Sequence, residues 1–454
     1  MPAGRSVDIQ SFLNAHPFSA FQWVIFALCF FVVLLDGFDT AAIGYIAPSL
    51  VSEWGIAKSA LGPVLSAALF GLAFGALAAG PLADRLGRKT VLAGAVLVFG
   101  IACLASAFSG SLNTLVVLRF LTGLGLGAAM PNAVTLMSEY CPDAWRATLT
   151  NTMFCGFPLG AALGGFLAAW MIPLWGWRSV LTLGGVTPLV LALLMVLLLP
   201  ESVRHMVAKN QPPERIRAVL SRISSSAAGA SSFTLSERAA AAAAKTGIGV
   251  VLSRTYVVGS LMLWLAYFMG LVIFYALINW MPILFRDAGL NPSTAALIAA
   301  LFPLGGIGAI VSGWLMDRFN GNIIIAVCFV LTAVAVYAVG QSVNNLALLV
   351  LIVLVAGTLM NTAQSSLPAL AAGFYPTQGR ATGVSWMLGL GRFGGIAGSF
   401  LVGELTGAHL SLGTIFLIVA IPGLISAAAL LVKQLAHPEA KRVRTAVGGA
   451  ALGH

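Results

Sequence analysis

The chain is a succession of long apolar runs with a single long polar interruption, and that pattern leaves few folds open. The runs fall near 21–48, 60–80, 90–109, 113–138, 147–171, 177–199, 256–280, 294–315, 322–341, 345–370, 379–403 and 411–434. Each is close to the length a helix needs to cross a hydrocarbon layer of about 30 Å, and in lipid only helices or closed barrels satisfy every backbone polar group. The expectation is an all-α membrane protein with twelve transmembrane helices in two six-helix bundles. Its parts are a cytoplasmic segment over 1–20, a first bundle over 21–199, a linker loop over 200–254, a second bundle over 255–434 and a cytoplasmic tail over 435–454. With 59% hydrophobic and 8% charged residues among 454, no soluble chain could bury so much apolar surface. The first apolar run is too long, and too interrupted by acids, to read as a cleavable leader.

The formal net charge of +10 invites a nucleic-acid partner, but its distribution argues otherwise. With both termini inside, 19 of the 24 Lys and Arg residues fall on the cytoplasmic side, eight of them in the linker. Lys58, Arg178 and Arg286 fall outside, and Arg119 and Arg392 lie within helices. Positive residues mark the inner face of membrane proteins, so the charge reports orientation and not a nucleic acid. The Ser/Ala-rich stretch 224–244 reads as a mobile part of the linker with at most a short surface helix. The five cysteines show no metal-ligand or CxxC spacing, so no metal, cofactor or disulfide framework is expected.

Inside the first run, Asp36 and Asp39 are the anomaly. A charge at bilayer depth costs roughly 2.5–3.5 kcal/mol on insertion scales, so acids there default to a functional reading. Three residues apart, they share one helix face, and Gly37 between them admits another backbone. They are candidates for proton coupling, against the plainer reading of structural hydrogen bonding.

An internal repeat supports the two-bundle plan. Ser138–Thr148, SEYCPDAWRAT, aligns with Ala372–Thr382, AGFYPTQGRAT, at an offset of 234, and the register continues through Gly160/Gly394 and Gly164/Gly398. Leu82–Arg85 aligns with Leu315–Arg318 at 233. Parallel six-helix halves with a substrate site between them near the midplane are a transporter plan.

Between the second and third runs stands GPLADRLGRK, from Gly80 to Lys89. It resembles the major facilitator superfamily loop of the form G-x-x-x-D-R-x-G-R-K, complete here. Gly80 and Gly87 permit the turn, Asp84 can sit near a helix end with Arg88 as partner, and Arg85 adds positive charge. Such a cluster can lock one conformation and release another. In the second half Asp317 and Arg318 remain, but Phe319-Asn320-Gly321-Asn322 replaces the basic tail, so the stronger gate is expected in the first half. Glu139, at the end of the fourth helix, joins this network with Arg146. The stretch from Asp36 to Pro48, DGFDTAAIGYIAP, resembles the first-helix signature of the aromatic acid:proton symporters, bacterial inner-membrane importers of benzoate-type acids. Trp54-Gly55-Ile56, Ser66–Gly71, Arg119–Gly127, Asn279–Pro282 and Pro200-Glu201-Ser202 agree with it.

The resemblance implies a twelve-helix proton symporter importing a small aromatic carboxylate, with no cofactor, working as a monomer in the lipid bilayer of the inner membrane. A guanidinium stays charged and offers a planar fork to a carboxylate. Arg392, near the middle of the eleventh helix among Gly391, Gly394 and Gly395, is the candidate for the substrate carboxylate. Arg119 is the second candidate, unless it pairs with the first-helix acids. Tyr267 and Tyr275 are candidates to stack on an aromatic ring, and Asn279 completes the set. Glu404 and His409 lie at the outer end and read as solvated. Asp36 and Asp39 balance Arg119 and Arg392, so an anion entering a shared cavity needs a proton for neutrality. The alternatives are a proton-coupled carrier of other organic anions, a drug exporter of the same superfamily, or a non-transporting membrane sensor. No G-x-x-x-x-G-K-[ST] loop suggests ATP drive.

Overall fold

A computed structural model describes residues 5–235, 249, 251–308, 320–375 and 377–437. The first half holds α2 (Ala20–Trp54), α3 (Leu61–Leu86), α4 (Arg88–Ala107), α5 (Leu112–Glu139), α6 (Asp143–Phe154), α7 (Gly156–Trp175) and α8 (Arg178–Leu198), after a short β1 (Arg5–Asp8) and α1 (Ile9–Ala15). The linker forms α9 (Val203–Ala208), α10 (Pro213–Leu220) and β2 (Ala230–Thr234). The second half holds α11 (Val257–Asp287), α12 (Pro292–Leu304), α13 (Gly321–Gln341), α14 (Leu346–Phe374), α15 (Thr377–Gly407) and α16 (Leu412–Ala436). Among the described residues ten helices are long and apolar enough to cross a membrane, with Pro292–Leu304 as a shorter apolar one. Large apolar side chains such as Leu77 and Leu435 are exposed, as contact with lipid allows.

Sequence chemistry explains the ends. Ser19 caps α2 in a reciprocal capping box with Gln22, and Gly55 closes it at φ +62°. The expected single helix over 147–171 is instead two, parted at Cys155. Pro158 has no N–H to give the carbonyl of Phe154, so the ladder breaks there.

The expected loop character of the linker also needs correction. Ser225–Gly229 is a 3-10 turn, and β2 pairs in parallel with β1, so the N-terminal segment and the linker make one two-stranded sheet. Arg217 donates to the Ala230 carbonyl at 2.7 and 3.0 Å, and the Arg222 guanidinium lies 3.8 Å from the Phe21 ring centroid. The remainder of the Ser/Ala stretch, 236–244, lies outside the described residues.

Packing within the halves follows the repeat. Gly160 on α7 lies so close to α2 that an added Cβ would sit 1.8 Å from the Leu34 carbonyl oxygen, and Gly394 on α15 meets the Phe268 carbonyl on α11 in the same way. Gly164 faces Phe38, and Gly398 faces Val272. Both pairs of partners are separated by the offset of 234 read from the sequence, so the repeat is a repeat of helix contacts. The Gly37 expectation holds too: a Cβ there would lie 1.9 Å from the Phe157 carbonyl oxygen. With no hydrophobic drive between helices in lipid, such close backbone approach supplies the packing.

The halves meet along α2 with α11, α3 with α15, and α7 with α12. Between the halves Lys58 pairs with Asp287 at 2.5 Å, and Arg286 donates to the Pro48 carbonyl.

Candidate functional site

The two first-helix acids are buried to the same degree and have different partners. Asp39, 1% exposed, takes Arg119 Nη1 at 2.9 Å and the Cys103 thiol at 3.2 Å on one oxygen. Arg119 is fully buried, and its Nη2 reaches Thr122 at 3.0 Å and Ser106 at 3.3 Å. Helices α2, α4 and α5 therefore hold a compact ion pair with its own hydroxyl shell. The Arg119 fork is already turned to a carboxylate of the chain. Asp36 accepts only a long contact from Thr40 at 3.5 Å, and among the described residues its Oδ2 has no hydrogen-bond partner.

Arg392, on α15 in the other half, is near enough for its charge to act on Asp36, Tyr267 and Tyr275. Arg392 is half-buried, with Met130 Sδ from the opposite half 3.9 Å from Nη2. Its neighbour Gly391 abuts the Tyr267 ring, and Gly395 abuts the Tyr275 ring. The glycines thus seat two tyrosines beside one arginine. Asp39, Thr40, Arg119, Tyr275 and Asn279 line a narrow pocket with Ile43, Leu65, Leu69 and Leu72. Asp39 and Arg119 form an ion pair, whereas Asp36 makes none among the described residues and feels the charges of Arg392 and Asp39 only through space.

The loop motif folds around an acid from elsewhere in the chain. Gly87 has φ +96°, and a Cβ there would lie 2.2 Å from Glu201 Oε2, so glycine is needed twice over. Glu201 Oε1 accepts from the backbone N–H of Arg88 at 2.8 Å and of Lys89 at 3.3 Å, an anion on the first turn of α4. Arg88 reaches the Ala83 carbonyl at 3.1 Å, His205 Nδ1 at 2.9 Å and Glu139 at 3.6 Å. The Tyr140 hydroxyl donates to the Glu201 carbonyl at 2.6 Å. Glu139 and Arg88 are thus together, Gly80 lies in α3, and Arg85 is exposed. The side chains of Asp84 and Arg146, and all of Asp317 and Arg318, lie outside the described residues. In the second half Asn320 and Asn322 both donate to Gln434, and Lys433 donates to Asn322 at 2.7 Å.

The sequence profile of the Major Facilitator Superfamily matches residues 29–399 and 263–452. The chain belongs to this superfamily. Within it the chain falls among the aromatic acid transporters. It is 52% identical over 440 residues to the 4-hydroxybenzoate transporter PcaK of Pseudomonas putida, covering 96% of this chain and 98% of that one. It is 46% identical over 446 residues to the gallate transporter of Pseudomonas putida, with 98% and 99% covered. The crystal structure of a D-xylose-proton symporter superposes with a TM-score of 0.70 at 18% identity, covering 90% of this chain and 97% of the other, a likeness of fold alone. Superfamily membership makes the protein a multi-pass transporter and not an enzyme.

Sequence reasoning missed the partners that this superfamily fold supplies from afar. His205 and Cys103 carried no signal in their neighbourhoods, and Glu201 was noted only within a short match. The contacts of Lys58 and Arg286 were counted only for orientation. One consequence is testable. Glu201→Gln should weaken the hold on α4 and slow substrate exchange at least tenfold while equilibrium binding changes less than about threefold, since one charge-assisted hydrogen bond contributes roughly 1.5–3 kcal/mol. Exchange rates and Kd measured on the same preparation check this; a parallel loss of both would remove the gate assignment.

Proposed function

We propose that the protein imports an aromatic carboxylate of the benzoate or hydroxybenzoate class into the cytoplasm together with a proton, by alternating access across the inner membrane. The observation that carries this reading is the pairing of charges. Asp39 and Arg119 neutralise each other inside the first half, whereas Asp36 has no ion-pair partner among the described residues and feels the Arg392 charge from the other half, across the interface that must open and close. The names of the relatives supply the substrate class, and half-buried Arg392 between two tyrosines supplies a cation and two rings for it.

In this mechanism the substrate carboxylate takes the guanidinium fork of Arg392, and its ring packs against Tyr267 and Tyr275. Asp36 then loses its countercharge. An uncompensated carboxylate at that depth is expensive, so it binds a proton, and the loaded site is neutral. Neutrality permits the halves to rock. After release of the acid inside, Arg392 returns to Asp36 and the proton leaves. The pairing of Asp39 moves the proton-carrying role to Asp36 alone. The cluster of Arg88, Glu139 and Glu201 holds the cytoplasmic ends of the first half in one arrangement.

Reconstituted vesicles test the coupling. Wild type should accumulate labelled 4-hydroxybenzoate under an inward proton gradient and lose accumulation with a protonophore. Asp36→Asn should lose gradient-driven accumulation altogether yet retain exchange of internal for external substrate. Undiminished accumulation by Asp36→Asn would remove Asp36 from the coupling step; accumulation insensitive to the protonophore would remove proton symport.

A further inference from the structure

The pocket lined by Asp39 and Arg119 carries a polar atom that their ion pair does not explain. Asn279 on α11 is 1% exposed and lines that pocket. Its Nδ2 donates to Ser399 Oγ at 2.9 Å, and Ser399 Oγ lies 3.1 Å from the Gly395 carbonyl one turn earlier on α15. A carbonyl only accepts, so the Ser399 hydrogen is committed to it, and Ser399 must accept from whatever faces it on the other side. The amide is therefore held with its NH2 toward Ser399 and its oxygen turned the other way. Among the described residues Asn279 Oδ1 meets no donor. A buried acceptor without a donor is costly, and it would stand ready for a ligand that brings one.

Its position selects the ligand. Ser399 follows Arg392 by seven residues on α15, about 10 Å along the helix axis. Gly391 and Gly395 seat Tyr267 and Tyr275 along the same face. A benzene ring with a carboxylate on the arginine and a hydrogen bond at its far end spans a comparable length. We propose that Asn279 Oδ1, oriented by Ser399, accepts a hydrogen bond from a hydroxyl para to the substrate carboxylate, and that this residue sets preference for para-hydroxylated over unsubstituted benzoates. The inference rests on the aromatic-acid reading above and assigns the specificity within it. Two other unpartnered oxygens in the region are poorer fits. Gln364 Oε1 is on a half-buried side chain outside the pocket lining, and Asp39 Oδ2 belongs to a carboxylate already paired with Arg119.

Equilibrium binding of benzoate and 4-hydroxybenzoate to the purified full-length protein tests it. Wild type should favour 4-hydroxybenzoate by roughly five- to tenfold, the size of one net neutral hydrogen bond. Asn279→Ala should bring the ratio of the two Kd values near one while the Kd for benzoate, which has no hydroxyl, stays within about threefold. Benzoate binding also reports that the variant is folded. Ser399→Ala keeps the acceptor but frees the amide to turn, so its ratio should fall part of the way. Should Asn279→Ala weaken both ligands alike, or keep the wild-type ratio, the assignment is overturned; loss of the ratio in Asp39→Asn alone would transfer it to that carboxylate. A wild type that binds benzoate with no hydroxyl preference overturns this inference and leaves the aromatic-acid reading standing. One that binds neither compound overturns both.

Discussion

Arg392→Ala abolishes the preference for a benzoate-type acid over its uncharged amide and weakens acid binding by at least about 30-fold. The expectation follows from what the guanidinium faces. Arg392 is half-buried at the bundle interface, beside two tyrosines and within electrostatic reach of Asp36. Removing one partner of a desolvated, hydrogen-bonded charge pair costs roughly 2–5 kcal/mol, much of it from the charge left behind. The amide has no charge to lose, so its weak binding should change little. Arg392→Lys separates charge from shape: the ammonium restores attraction but cannot present the planar fork, so binding should recover only in part. Measuring the Kd of acid and amide side by side decides it. If the alanine variant still prefers the acid, the carboxylate is held elsewhere, and the role falls to Arg119.

That experiment probes a distinction that the sequence alone left open. Two acids and two arginines at depth were legible, because charges in apolar runs stand out against their surroundings. Their pairing was not, because it depends on which helices touch. The three-residue spacing of Asp36 and Asp39 does place them near one another on α2, but among the described residues α4 and α5 bond only to Asp39, through Cys103 and an Arg119 that Ser106 helps to hold. The architecture was more readable. The offset of 234 located the duplicated contacts of Gly160 and Gly394 before any helix was placed, since glycine is the residue that close helix approach demands. The sheet between Arg5–Asp8 and Ala230–Thr234 was illegible for the opposite reason. Its strands are short, polar and far apart in the chain, so no periodicity marks them. Glu201 shows the same limit at the gate: its role is fixed by Gly87 and the N-terminus of α4, more than a hundred residues away.

The pairing of Asp39 with Arg119 gives the second large effect. Arg119→Ala should destabilise the protein by roughly 3–5 kcal/mol, because it strands a carboxylate that is 1% exposed. Asp39→Asn should cost a comparable amount by stranding the guanidinium, although Ser106 and Thr122 still accept from Nη2. The double variant Asp39→Asn/Arg119→Ala removes both charges, and its loss should be well below the sum of the two single losses. A thermal unfolding midpoint for all four proteins, measured in one detergent, yields the coupling between the pair. A structural pair predicts a double variant that regains much of the stability and still binds a benzoate-type acid through Arg392. An Arg119→Ala variant that keeps the wild-type midpoint and fails to bind the acid would make Arg119 a ligand after all. In that event Asp39 would be the acid that the incoming carboxylate displaces, and the proton would be taken up there.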